Sequence, residues 1–166
     1  MSEIGIGIVG LRNNGMGHAR RVVDLDGCRL AAAADVDAER TRAAAELAGG
    51  VTEYAAAKDL FADPEVEGVL LSLPNHLHAP LSIAALEAGK HVLVEKPMSM
   101  TAAEARDMIK ARDAAGKTLM VGMNQRFQPK HQAVKAAIDA DAIGEIYGAK
   151  TSWLMCRVHA GLWGRG

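Results

Sequence analysis

The chain has 166 residues, of which 49% are hydrophobic and 23% charged, and its formal net charge is −1. This length accommodates one core domain and part of a second. A balanced charge without a basic run argues against a nucleic-acid partner, and no segment is long and apolar enough to suggest a membrane span.

The N-terminal residues enter a strand directly, without the basic region and apolar core of a secretory signal. Cys28 and Cys156 stand far apart in the sequence. We therefore expect a protein of the reducing cytoplasm with neither a disulfide nor a metal site.

Strands and helices alternate along the first part of the chain. Apolar runs predict strands at residues 4–9, 29–34, 66–73, 91–94 and 117–123, with a weaker one at 51–54. Helical patterns fall at residues 15–25, 37–47, 56–61, 75–88 and 101–115. Thr101 and Glu104 predict a capping box at the start of the last helix, and Gly116 predicts its end. This order predicts an α/β fold, a doubly wound parallel sheet with right-handed crossovers.

The pattern changes near residue 124. Residues 128–141 look helical, and residues 144–157 form a long, partly alternating strand-like run without a crossover helix after it. We therefore predict a first domain at 1–124, with 125–166 supplying a connecting helix and the first strand of a second α/β domain. The alternative is a last strand that completes the first sheet. An uncovered strand invites pairing, so we predict that residues 145–155 drive self-association into a homo-oligomer.

A glycine-bearing turn follows the first strand. The pattern G-x-G-x-x-G matches Gly5, Gly7 and Gly10, but the first two lie inside the strand, whereas a dinucleotide-binding turn must follow it. The register that starts at Gly10 fits better, with Gly15 allowing close packing of the helix. In that register a pyrophosphate would bind the N–H groups at the helix N-terminus, beginning at Asn13.

Arg12 takes the place of the central glycine of that turn, and it either points outward or contacts a phosphate. A purely structural turn is the alternative. Asp35 ends the second strand, where a carboxylate accepts hydrogen bonds from the adenosine ribose and repels a 2′-phosphate, so NAD is favoured over NADP. Arg12 or Arg40 would offset that repulsion if close by, and Asp37 is a candidate helix cap.

The most informative segment is 74–97, which ends in Glu95-Lys96-Pro97 directly after a buried strand. Ligands of open α/β sheets bind outside the carboxyl ends of the strands, which is where Lys96 would lie. Oxidation of a secondary alcohol needs a group that orients the hydroxyl and removes its proton as hydride leaves, and Lys96 suits that role. Glu95 would pair with it or cap nearby backbone. The alternative is an ordinary solvated lysine.

Two further candidates follow the strand at 66–73, on the same edge. Asn75 would border the nicotinamide ribose, and it is also a predicted cap for the next helix. His78 is a candidate cofactor contact, with packing in the helix as its alternative. His18 lies in the first helix, where we expect it to pack.

Four segments in this order, GIVGLRNNGMGH, AAAADVD, PNHLHAPLSIAALEAGKHVLVEKP and VGMNQRF, closely resemble the Gfo/Idh/MocA oxidoreductase family. That resemblance implies an N-terminal Rossmann domain and a C-terminal α/β domain with a large open sheet. It also implies oxidation or reduction of sugars, inositols and related polyols with NAD or NADP. It assigns Lys96 as the catalytic lysine and places several cofactor contacts, at Gly10, Gly15, Asp35, Pro74 and Asn75.

Two departures accompany the resemblance. Arg12 replaces the usual glycine, and the chain ends before the second-domain motif that supplies a histidine and an aspartate. We therefore expect a truncated NAD(P)-dependent oxidoreductase for a small sugar or polyol, with little activity alone. The alternative is a non-catalytic NAD(P)-binding module or redox-sensing regulator. A methyltransferase on a similar scaffold would leave Glu95-Lys96-Pro97 unexplained.

Overall fold

The computed structural model describes residues 3–152 and Leu154. The chain divides into two compact units, Met1–Met123 and the residues from Asn124 onward. The described residues of the first unit form one six-stranded sheet, made of β1 (Ile4–Val9), β2 (Cys28–Ala34), β3 (Thr52–Tyr54), β4 (Gly68–Leu71), β5 (His91–Val94) and β6 (Leu119–Val121).

The sheet has the order β3-β2-β1-β4-β5-β6, and every neighbouring pair is parallel. Strands β2 and β3 are added on one side of β1, and strands β4, β5 and β6 are added on the other side. The direction in which strands are added therefore reverses between β1 and β4. The predicted doubly wound parallel sheet is confirmed, and the reversal marks the crevice in which such sheets bind ligands.

Helices connect the strands. They are α1 (Asn13–Val23), α2 (Ala38–Leu47), α3 (Ala57–Ala62), α4 (His78–Glu87) and α5 (Ala102–Ala115) in the first unit, with α6 (Pro129–Asp139) in the second. Short 3-10 turns occupy Asn75–Leu77 and Asn124–Phe127. The described helices are too short or too polar to cross a membrane.

Local signals set several helix ends as predicted. Thr101 and Glu104 form a capping box at the start of α5, and Gly116 ends that helix at φ 62°. Asp37 caps α2 by accepting a hydrogen bond from the backbone N–H of Glu39. These caps fix where the helices begin and end, and therefore where the loops at the sheet edge start.

The core lies on both faces of the sheet. Neighbouring residues of β4, Leu70 and Leu71, belong to opposite clusters because side chains alternate along a strand. One cluster includes Leu86 and Met108, and the other includes Ile8, all fully buried. Each such side chain contributes about 1.5–3 kcal/mol by its burial. The sheet is thus a rigid platform for the loops at its carboxyl edge.

Two boundary predictions need correction. The strand predicted at 66–73 is limited to Gly68–Leu71, where β4 is paired on both sides. Asn75 does not cap the next helix: the chain first makes the 3-10 turn after Pro74, whose start has no side-chain cap, and α4 begins at His78.

The strand predicted over residues 144–157 is not formed in residues 144–152. A strand exists only when its backbone pairs with a neighbour, and among the described residues none pairs with this segment. Trp153 and residues 155–157 of that prediction lie outside the described residues. The self-association expected through this strand stays a prediction.

Candidate functional site

The predicted site residues converge at the carboxyl edge of the sheet. Val9 pairs with Ala34 on one side and Leu71 on the other, and Leu71 pairs with Val94. The residues that follow these four strand ends therefore leave the sheet at the same level. They carry the glycine turn, Asp35, the Pro74 segment and the Glu95-Lys96 segment to the two sides of the crevice between β1 and β4.

The turn after β1 requires glycine at two positions. Gly10 has φ 86°, and a Cβ there would lie 2.1 Å from the carbonyl oxygen of Ser72, beyond β4. A Cβ at Gly15 would lie 1.8 Å from the carbonyl oxygen of Gly10. The first turn of α1 therefore packs directly onto the end of β1, and a larger residue at either position would force the two apart.

The N-terminus of α1 lies at this turn. Arg12 precedes the helix without a side-chain cap, and no acidic residue stands in the first turn. The first N–H groups of a helix lack intrahelical partners, and the helix dipole makes this end attractive to phosphate. Arg12, Asn13 and Asn14 are exposed. Arg12 has φ −68°, an ordinary value, so the backbone does not need glycine there.

Asp35 ties the end of β2 to the glycine turn. Its Oδ2 accepts the backbone N–H of Leu11 at 2.6 Å, and its Oδ1 accepts that of Asp37 at 3.0 Å. Arg40 contacts Asp35 Oδ1 at 3.4 Å and Asp37 Oδ2 at 3.2 Å. The Asp35 side chain is only 6% exposed, whereas Val36 beside it is 95% exposed. Arg40 thus partly neutralises the negative charge of the Asp35 carboxylate.

Glu95 and Lys96 leave the end of β5 together. Glu95 Oε1 lies 2.9 Å from Nε2 of His18 on α1, and Glu95 Oε2 accepts the backbone N–H of Lys96 at 3.2 Å. Lys96 itself is exposed within the described part of the chain. The sequence predicted a packing role for His18 and missed this hydrogen bond, because no local pattern links positions 77 residues apart.

Pro74 and Asn75 lie exposed at the end of β4, on the same edge as Lys96. His78 is different, because it is buried with 1% exposure. Its Nδ1 lies 2.6 Å from the carbonyl oxygen of Pro97, and its Nε2 lies 2.9 Å from that of Leu73. Both ring nitrogens therefore face backbone, so His78 braces the segment after Lys96 and leaves no ring nitrogen for a direct cofactor contact.

The polar and charged groups at this edge suit a dinucleotide. It offers uncapped helix N–H groups for a pyrophosphate, a carboxylate for ribose hydroxyls, and exposed amide and ammonium groups further along the crevice. Among the residues that the structure describes, no group of three or more His, Cys, Asp or Glu side chains is arranged to hold a metal ion.

Comparisons with known proteins agree with this geometry. The chain is 38% identical over 143 residues to inositol 2-dehydrogenase 1 of Saccharopolyspora erythraea, covering 84% of this chain and 42% of that protein. It is 34% identical over 140 residues to the myo-inositol 2-dehydrogenase of Thermotoga maritima, with 84% of this chain and 42% of that protein covered. The chain thus spans about two fifths of the length of these relatives.

Solved structures give the same result. The scyllo-inositol dehydrogenase of Lactobacillus casei, crystallised with NAD(H) and scyllo-inositol, superposes with a TM-score of 0.83 at 25% identity, covering 87% of this chain and 43% of that one. A putative myo-inositol dehydrogenase from Sinorhizobium meliloti 1021 superposes with a TM-score of 0.78 at 32% identity, covering 86% of this chain and 43% of that one.

The family model described as an oxidoreductase family with an NAD-binding Rossmann fold matches residues 4–123. The match confirms the resemblance to the Gfo/Idh/MocA family that the sequence predicted. It also confirms that the cofactor of this family is NAD. This chain belongs to the Gfo/Idh/MocA family of oxidoreductases.

Proposed function

We propose that the first unit binds NAD(H) at the carboxyl edge of its sheet, and that the protein is an NAD-dependent dehydrogenase of inositols or related polyols. The observation that carries the proposal is the meeting of the uncapped α1 N-terminus, Asp35 and Lys96 around the reversal between β1 and β4. A parallel sheet with such a reversal binds its ligand there.

The binding roles follow from position. The N–H groups at the start of α1, from Asn13, would hold the pyrophosphate against the turn of Gly10 and Gly15. Arg12 is exposed beside them and would add a positive charge. The uncapped helix end and the tight glycine turn fit a bound pyrophosphate without requiring glycine at position 12.

The two ends of the dinucleotide would lie on opposite sides of that turn. Asp35 would accept hydrogen bonds from the adenosine ribose, and its charge favours NAD over NADP, although Arg40 reduces the repulsion of a 2′-phosphate. Pro74, Asn75 and Glu95 would line the nicotinamide side, because they follow β4 and β5. We propose for His78 a bracing role at this side.

The chemistry assigned to Lys96 is proton transfer. Bound NAD⁺ would supply the acceptor for the hydride that leaves the alcohol carbon. The Lys96 amine would take the hydroxyl proton of the secondary alcohol as the carbonyl forms, and would become an ammonium. In the reverse direction the Lys96 ammonium returns the proton to the oxygen. A positioned acid–base group of this kind contributes about 10²–10⁴-fold to the rate.

The substrate class is proposed from the relatives, several of which are inositol dehydrogenases. A screen of inositols and sugars with NAD⁺, read as NADH formed, tests it. We expect slow NADH formation with an inositol that is lost in Lys96→Met and kept in Lys110→Met, a lysine paired with Asp107 on the exposed face of α5.

Turnover that survives in Lys96→Met would contradict the proposed role of Lys96. Saturable NADH binding without NADH formation from any polyol would contradict the catalytic part of the proposal and favour a cofactor-binding module.

A further inference from the structure

The hydrogen bond between His18 and Glu95 joins two parts of the fold that are distant in sequence. His18 Nε2 and Glu95 Oε1 lie 2.9 Å apart and are separated by 77 residues. The two side chains are 24% and 14% exposed, so the pair is mostly shielded from water. A hydrogen bond to a charged carboxylate in such surroundings is stronger than one between exposed neutral groups.

The pair spans the crevice proposed for the dinucleotide. His18 belongs to α1, which follows β1, whereas Glu95 follows β5, and β4 lies between these two strands. The hydrogen bond therefore connects the helix proposed to hold the pyrophosphate with the strand end that carries Lys96. A link across this point fixes the two sides of the crevice relative to each other.

Glu95 is held on further sides. Its second oxygen, Oε2, accepts the backbone N–H of Lys96. Gly122, directly after β6, passes beside the carboxylate with no side chain, and a Cβ there would lie 3.4 Å from Oε2. Both oxygens of the Glu95 carboxylate are therefore engaged, Oε1 by His18 and Oε2 by the backbone N–H of Lys96.

We propose that His18 is a positioning residue for the nicotinamide half of the site. By donating from Nε2 to Glu95, it holds the Glu95 carboxylate and, through it, the start of the Lys96 segment beside the crevice. This inference rests on the proposed binding of NAD(H) at the same edge. It differs from a merely stabilising role, because loss of His18 should harm the nicotinamide end of the ligand and spare the adenosine end.

The test compares two ligands in four proteins. NADH spans the whole site, and ADP carries only the adenosine and the phosphates. His18→Phe keeps a ring but removes the donor, and His18→Gln keeps an amide donor of similar reach. His91→Phe is the matched control, since it removes a histidine that accepts the Thr118 N–H at the opposite end of β5.

We expect His18→Phe to weaken NADH binding about tenfold while ADP binding stays within about twofold of the wild type. His18→Gln should recover most of the lost affinity, and His91→Phe should leave the ratio of the two affinities unchanged. Equal losses for NADH and ADP, no loss for either, or a failure of His18→Gln to recover NADH binding would overturn the inference.

A measurement without ligand separates this inference from the proposed function. Amide hydrogen exchange at Lys96, followed by NMR, reports the hydrogen bond that Glu95 Oε2 accepts. Exchange should be faster in His18→Phe and unchanged in His91→Phe, and an unchanged rate in His18→Phe would overturn the positioning role. A folded wild-type chain that binds neither NADH nor ADP would instead refute the proposed function, and the exchange rates would still decide whether His18 positions Glu95.

Discussion

The backbone N–H of Leu11 donates to the Asp35 carboxylate at 2.6 Å, across 24 residues of sequence. Leu11 lies in the turn after β1, and Asp35 ends β2, so the bond fixes the glycine turn to the neighbouring strand. The same carboxylate is the group proposed to accept the adenosine ribose. Asp35 therefore shapes the loop that would hold the phosphates, and under the proposal it would also select between NAD and NADP.

Substitutions at Asp35 should separate these two roles. Asp35→Asn keeps an oxygen for Leu11 but removes the charge, so NADPH should gain about tenfold in affinity relative to NADH. Asp35→Ala also removes the anchor of the turn, and both ligands should bind more weakly. Calorimetric titration of each variant with NADH and with NADPH measures the two affinities. Asp107→Asn, at an exposed residue of α5, is the control. An unchanged ratio of NADPH affinity to NADH affinity in Asp35→Asn would refute the selectivity role.

The charge of Lys96 should discriminate between the oxidised and reduced cofactors. An ammonium near the nicotinamide repels the cationic ring of NAD⁺ but not the neutral ring of NADH. Lys96→Met should therefore raise the affinity for NAD⁺ relative to NADH by roughly threefold to tenfold at low salt. Equilibrium binding of NAD⁺ and of NADH to Lys96→Met provides the measurement, with Lys110→Met as the control. A ratio of NAD⁺ affinity to NADH affinity equal to that of the wild type would place Lys96 away from the nicotinamide.

Lys90 should matter for stability and not for binding. It precedes β5 at the amino edge of the sheet, is 8% exposed, and donates from Nζ to the carbonyl oxygens of Asp63 and Val66 at 2.8 Å and 2.7 Å. Lys90→Met leaves both carbonyls without this donor, which should lower the free energy of unfolding by about 2–4 kcal/mol. Urea unfolding measures the loss, and NADH affinity at the opposite edge should be unchanged. A variant as stable as the wild type would contradict this account of Lys90.

Tyr54 should make stability depend on pH in alkaline solution. Burial, followed by the hydrogen bond and charge of Asp63, raises the pKa of the Tyr54 phenol above its ordinary value of 10.0, and the charge of Asp59 adds to the shift. The protonated phenol is favoured in the folded state. Its contribution is therefore complete below pH 10.0 and is lost as the pH rises from there through the higher folded-state value.

The check is urea unfolding as a function of alkaline pH. The free energy of unfolding of the wild type should fall more steeply above pH 10.0 than that of Tyr54→Phe. Tyr147→Phe, at a fully exposed tyrosine, should follow the wild type. Parallel curves for the wild type and Tyr54→Phe would show that the phenol does not titrate differently in the two states.

Local sequence signals were sufficient for most of the first unit. The capping box at Thr101 and Glu104, the stop at Gly116 and the turn at Gly10 each depend on residues close in sequence, and the structure contains all three. The parallel sheet followed from the alternation of strands and helices, because short crossovers allow few other arrangements.

Interactions between distant positions could not be predicted from the sequence. The contacts of His18 with Glu95 and of His78 with Pro97 depend on how helices α1 and α4 meet the segment that follows β5. The segment 144–152 looked like a strand because its residues alternate, but pairing depends on a partner that sequence alternation does not reveal. The domain boundary at residue 124, the cofactor contacts and the low activity of the chain stay predictions.

The central claim is that the edge around Gly10, Asp35 and Lys96 binds NAD(H). Calorimetric titration of the folded chain with NADH and with NADPH tests it most directly, once circular dichroism has shown that the chain is folded. The account predicts saturable binding at one site per chain, tighter for NADH. A folded chain that shows no saturable binding of either dinucleotide would contradict it.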